Sequence, residues 1–144
     1  MIPHPTPRPP TTPTGPATLP IRSLTALAAL PTDPHWRQRL SLHLADLHRA
    51  FAVHVRLTEG PDGRYAEPLA DAPRLARRVQ ILLREHIAVD TALHALRRRA
   101  DLPEAGADEL HDWLTALLVD LHRHRRHGAE LVHQAYQTDL GGET

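Results

Sequence analysis

Apolar residues recur along this chain at alternating steps of four and three, the spacing of helices that bury one stripe. A first stripe runs through Leu40, Leu44, Leu47, Phe51 and His54, and a second through Leu75, Val79, Leu82, His86, Val89, Leu93 and Leu96. A third comprises Leu110, Leu114, Leu117, Leu121, His124, Gly128, Leu131 and Ala135. Asp33 followed by Pro34 has the form of an N-cap with proline at the first helical position, so the first helix is predicted to begin there. The GPDG segment at 60–63 interrupts it, and RYAEPL resumes a helical path to about Leu69. Asp71 with Pro73 opens the second helix, Pro103 and Gly106 mark the next turn, and the third ends near Gly141 and Gly142. Three long amphipathic helices with short turns predict an all-α antiparallel bundle over residues 33–140. Ahead of it, 21–32 reads as a short helix or linker stopped at Pro31. Residues 1–20 hold eight of the 14 prolines and are expected to form a disordered or extended tail.

Each stripe carries one histidine, and the three fall at one depth. In an antiparallel pair, two residues share a level when the number midway between them lies in the connecting turn. Midway between 54 and 86 is 70, in the ADAP turn; midway between 86 and 124 is 105, in the PEAGA turn. His54, His86 and His124 are therefore expected to point into the core together. Three desolvated imidazoles are hard to satisfy with hydrogen bonds alone, whereas a divalent metal binds all three in the neutral form. A carboxylate is expected to complete such a site. Asp90 lies one turn after His86, and Asp120 mirrors Asp90 across the second turn; Glu59, Glu85 and Glu130 are further candidates, rotated off their stripes. Among the remaining histidines, His111, His122 and His133 recur every eleven residues as a row beside the core, read as solvated or as an interface.

Composition narrows the chemistry. The chain has 144 residues, 17 basic against 17 acidic side chains, 12 histidines and no cysteine. Without cysteine there is no disulfide framework, thiolate zinc site, cysteine-held iron–sulfur cluster or thiol nucleophile. Zero net charge argues against a bulk electrostatic binder of nucleic acid. All 17 basic residues are arginine, which reads as the coding bias of a GC-rich bacterial genome. No stretch approaches the roughly eighteen apolar residues of a spanning helix, and the N-terminus has no secretion-signal pattern, so no membrane contact and a cytoplasmic location are expected. No catalytic serine motif, phosphate-binding glycine loop or nucleotide fingerprint is present, and no catalytic residue is assigned.

Three segments resemble the hemerythrin-like (HHE cation-binding) family. LLREHIAVDTALHAL is similar to its LxxEHxxI segment, AFAVHVRLTEGPDGRYAEPL to its HxxxEExxLFPxL segment, and DLHRHRRHGAELVHQAY to its closing LxxHxxxE helix, covering about residues 35–140. The resemblance implies a hemerythrin-like bundle and metal-ligand roles for His54, His86 and His124, with Asp90 where the family has the second histidine of an HxxxH pair. Thr58 stands in place of a bridging glutamate, with Glu59 one residue off, and Gly128 and Ala129 stand where the last helix carries its carboxylate. The family's first helix corresponds to residues 21–30, which hold no ligand. Family members use a carboxylate-bridged pair of irons to bind oxygen or to handle small oxidants. Three histidines and one aspartate suit a single Fe(II), Mn(II) or Zn(II) better than two ions.

The leading expectation is a non-haem metal protein, iron first, of one or two ions, with open positions for O2 or NO and a leaning towards oxidoreductase chemistry. Thr58, Tyr65 and Tyr136 would support the ligands from behind. Three long helices leave an apolar face that either the 21–30 segment covers or a second copy of the chain does. Two further readings stand beside it. A metal-free interaction module of the same fold would use the arginines at 97–99 and 123, 125 and 126. A haem held by two of the core histidines is the other.

Overall fold

The computed structural model describes residues 18–31 and 33–141, with side chains through 135. Most of the tail predicted over 1–20, and the side chain of Tyr136, lie outside the described residues. The described chain is helical, with no strand among its residues. It comprises α1 (Ile21–Ala29), α2 (Trp36–Thr58), α3 (Ala66–Asp71), a 3-10 turn (Pro73–Leu75), α4 (Ala76–Ala100) and α5 (Ala107–Gly141). Among the described residues no helix is long and apolar enough to cross a membrane.

The facing pairs of α4 and α5 run in opposite order. Arg99 meets Glu109 at one end, His86 meets His124 in the middle and Arg78 meets Glu130 towards the other end. The two helices are therefore antiparallel, as the short PEAGA turn requires. Asp33 opens the approach to α2, its Oδ1 accepting the backbone N–H of His35 at 2.9 Å and its carbonyl that of Trp36 at 3.0 Å. Helix dipole and charge agree at the other end of the pair, where Arg97, Arg98 and Arg99 occupy the last turn of α4.

Residues 21–29 are a packed helix and not a linker. Ile21, Leu24 and Leu27 are buried, and two side chains from the bundle reach the carbonyls at its open end. The indole N–H of Trp36 donates to Leu27 at 2.9 Å, and His111 Nε2 donates to Ala28 at 2.7 Å. The apolar face left by three helices is thus covered by α1, which lies against α2 and α5.

The passage from α2 to α3 is an excursion whose ends meet. The N–H groups of Arg64 and Tyr65 donate to the carbonyls of Leu57 and Thr58 at 3.0 and 3.1 Å, so α3 begins where α2 stops. Two glycines allow this. Gly60 has φ 92°, the left-handed region open to glycine. At Gly63 an added Cβ would lie 2.4 Å from the carbonyl oxygens of Thr58 and Glu59, a space only a hydrogen can fill.

The core divides in two. A larger apolar cluster includes Leu24, Leu44, Phe51, Val89, Leu93, Leu114 and Leu121. A smaller one gathers Tyr65, Leu75, Val79, Leu82 and Leu131. Each fully buried leucine contributes about 1.5–3 kcal/mol of transfer free energy. Between the two clusters, on all three stripes, the apolar sequence is broken by histidine.

Candidate metal centre

His54 on α2, His86 on α4 and His124 on α5 converge on one point. Their ring centroids lie 5.0 Å (54 to 86), 5.2 Å (54 to 124) and 4.7 Å (86 to 124) apart. One nitrogen from each ring lies within 4.8 Å of the other two. His86 and His124 are 3 % and 2 % exposed, so water cannot satisfy their nitrogens. Phe51, one turn before His54, closes the apolar side, stacked on His54 at 5.9 Å and edge-on to His86 at 5.7 Å.

Two carboxylates fix the orientation of two rings. Glu59, the residue that ends α2, places Oε1 2.7 Å from Nδ1 of His86. Glu85 places Oε1 3.0 Å from Nδ1 of His124 and Oε2 2.7 Å from Nδ1 of His127. An ionised carboxylate only accepts, so His86 and His124 donate from Nδ1, and in the neutral ring Nε2 is left with a lone pair. This is the arrangement in which carboxylates orient metal-binding imidazoles from behind. The Nε2 atoms of His54 and His124 face each other at 3.0 Å. Two nitrogens bound to one ion at about 2.0–2.1 Å stand roughly 3.0–3.4 Å apart. Without an ion, His54 must donate from Nε2 to close the same gap.

The electrostatics keep two of the three rings, His54 and His124, neutral. Burial, reinforced by the imidazoles of His86 and His124 and by Arg64, pushes His54 down to about 4. Burial also lowers His124, opposed by its hydrogen bond to Glu85. Both rings are in the metal-binding protonation state at neutral pH. Tyr65 is stacked on His86 at 5.7 Å and its O–H donates to Nε2 of that ring at 3.3 Å, a bond that an ion held on the same nitrogen would displace. Burial pushes the Tyr65 hydroxyl up to about 12, opposed by a hydrogen bond with Thr58 and aided by Glu59 and Glu85. The Thr58 hydroxyl is buried and donates to the carbonyl of His54 at 2.8 Å, tying the end of α2 to the histidine that precedes it by one turn.

The predicted carboxylate ligands are placed differently. Asp90 points away from the cluster, 54 % exposed and 3.4 Å from Nδ1 of His94. The buried line of α4 passes from His86 to Val89 and Leu93, a step of three and then four. A step of four from His86 overshoots the seam by about 40° and turns Asp90 to solvent. Asp120 pairs with Arg123 at 3.9 Å and Glu130 with Arg78 at 3.4 Å, both on the surface. Glu59 and Glu85 are brought to the site, behind the rings and not towards the shared point. His127 joins them through Glu85; its spacing of three from His124 was the signal that could have found it.

Two arginine groups offered as an interaction surface are partly engaged within the chain. Arg99 donates from Nε to Glu109 at 2.8 Å and lies 4.9 Å over the ring of Trp113, and Arg123 pairs with Asp120. A haem between His54 and His124 would need their nitrogens about 4 Å apart on opposite sides of the ring plane, which the 3.0 Å separation does not allow. Beside the cluster, a cavity of about 430 Å3 opens on His54 and His124. Comparison of the chain with protein-family models, with curated proteins and with solved structures finds no match.

Proposed function

We propose that this chain is a helical metal-binding protein in which His54, His86 and His124 hold a single divalent ion through their ring nitrogens. The observation that carries this reading is the convergence of three buried or half-buried imidazoles with two Nδ1 protons already committed to carboxylates. Three protein ligands leave a four-coordinate ion one position for an exogenous molecule, and the cavity bordering His54 and His124 supplies the approach. An all-imidazole donor set suits zinc, iron, copper or nickel. Resemblance to the hemerythrin-like family selects iron, and with it a role in binding O2 or NO or in oxidation. Iron(II) would supply reversible binding or reduction of the diatomic. The protein's part is to hold the His54 and His124 imidazoles neutral, to exclude bulk water with Phe51 and Tyr65, and to present the Tyr65 O–H as a proton donor beside His86. Among the described residues no carboxylate is aimed at the shared point, which argues for one ion in place of a bridged pair.

Elemental analysis of full-length protein purified from cells supplied with iron, and separately with zinc, tests the reading. One metal per chain is expected, falling at least tenfold in His124→Ala. Metal-free protein from both cultures, with an unchanged absorption spectrum in that variant, would sink it.

A second reading has its own observation. Among the described residues no buried side-chain nitrogen or oxygen lacks a hydrogen-bond partner, so the histidine layer is also satisfied as a metal-free network. In that case the chain is an interaction module whose stability ignores chelators. A melting temperature that is unmoved by a chelator, in protein that carried metal before treatment, distinguishes the two.

A further inference from the structure

The cavity beside the histidine cluster is far larger than a diatomic needs. At about 430 Å3 it falls in the roughly 300–1,000 Å3 range of sites for organic molecules. Its walls are apolar, formed by Leu19 and Ile21 at the start of α1, Pro68 on α3, and Leu131 and Val132 on α5. Val132 is left 60 % exposed at its edge. On α5 the stripe position that follows His124 is Gly128, where an added Cβ would meet nothing within 4 Å. A glycine inside a helix costs about 1 kcal/mol relative to alanine, and here it keeps the space empty where the stripe would otherwise fill it.

The charge of the cavity has one sign. Arg64 and Arg125 lie on its rim, His54 and His124 on its floor, and among the described residues no carboxylate lines it. Neither arginine has an ion-pair partner among the described residues, in contrast to Arg49, Arg78, Arg99 and Arg123. Arg64 lines the same cavity as His54 and His124, so its cation borders the space from which the cluster is reached.

We propose that this cavity binds an amphipathic monocarboxylate, with its apolar body against Leu19, Ile21, Leu131 and Val132 and its carboxylate between Arg64 and the His54–His124 face. The inference deepens the metal reading, and rests on it only in that the bound ion would add to the attraction of the carboxylate. Gly128 is the specificity-determining position, because its missing side chain is the room the apolar body occupies.

Octanoate and octan-1-ol, two probes of equal chain length that differ in charge, test this by calorimetric titration of the full-length protein before and after metal removal. Saturable binding of one octanoate per chain is expected, at least tenfold tighter than octan-1-ol. Gly128→Leu, a change that raises helix propensity, is expected to weaken octanoate at least tenfold while leaving metal content unchanged. Arg64→Gln should weaken octanoate several-fold and leave octan-1-ol as it was. Absence of saturable octanoate binding, equal affinity for the alcohol, or unaltered binding in both variants would overturn the proposal. Octanoate binding of the expected pattern in a chain that takes up no metal would sink the metal reading alone. One metal per chain with no octanoate binding would sink the cavity assignment alone.

Discussion

Two buried imidazoles, His86 and His124, and a half-buried third, His54, share one layer of the helical core. Each must be neutral or be paid for with a counter-charge, and burial enforces the first choice at His54 and His124. Glu59 and Glu85 accept the Nδ1 protons and so determine which nitrogen faces the shared point. Replacing either acceptor by an amide, in Glu59→Gln or Glu85→Gln, keeps the volume but removes the charge that makes the ring a better donor. Each substitution should lower metal affinity about 10–100-fold, read by competition with a chromophoric chelator. Protons compete for the same nitrogens. His54 titrates near 6.5 when unfolded and about 4 when folded, so the unfolded chain binds the extra proton between those values. Its contribution to the metal-free protein is complete above 6.5 and is lost as the pH falls towards 4. Because part of the ring is screened by solvent, the loss amounts to about 1–2 kcal/mol. Urea unfolding of chelator-treated protein at pH 7 and pH 4.5 should show that decline, and His54→Leu should flatten it.

At the scale of elements, the site is positioned by an interruption in a helix. The loop between α2 and α3 returns the chain to the end of α2, which sets Glu59 and Tyr65 on opposite nitrogens of His86. Gly63 makes that return sterically feasible. Gly63→Ala should therefore cost about 2 kcal/mol or more in stability and weaken metal binding in parallel, whereas Asp62→Ala, in the same exposed loop, should do neither; thermal melts and metal titration of the two variants check this. The stripes and turns of the long helices were legible in the sequence because a period of 3.6 repeats over many turns. The common depth of the three rings followed from the turn positions. What periodicity could not resolve was direction around the helix at the resolution of one side chain. Asp90 and Glu85 stand four residues after and one before His86, yet the first faces solvent and the second faces α5. That difference depends on where the seam of α4 lies against its partner, which a single helix does not encode. Glu59 was harder still, since its placement depends on a loop closure that no repeat announces.

For the whole molecule, the histidine layer divides two apolar clusters that would otherwise form one core. A polar layer in this position lowers stability relative to leucine unless every nitrogen is satisfied, and fixes the register in which α2, α4 and α5 meet. The fourth helix of the bundle, α1, comes from the segment that read as a short helix or linker, and it joins the larger cluster through Ile21, Leu24 and Leu27. Its dual identity in the sequence reflects its length: nine residues are too few for a stripe to declare itself, and its helix is stabilised by packing against α2 and α5. In the proposed function, His54, His86 and His124 together bind one ion. Titration of the metal-free, full-length protein with cobalt(II), followed by its visible d–d absorption, tests this most directly. Saturation at one equivalent is expected, with the band lost in His54→Ala, His86→Ala and His124→Ala and retained in Asp90→Asn and His94→Ala. A chain that develops no band, or a band that survives substitution of all three core histidines, would show that these residues hold no ion.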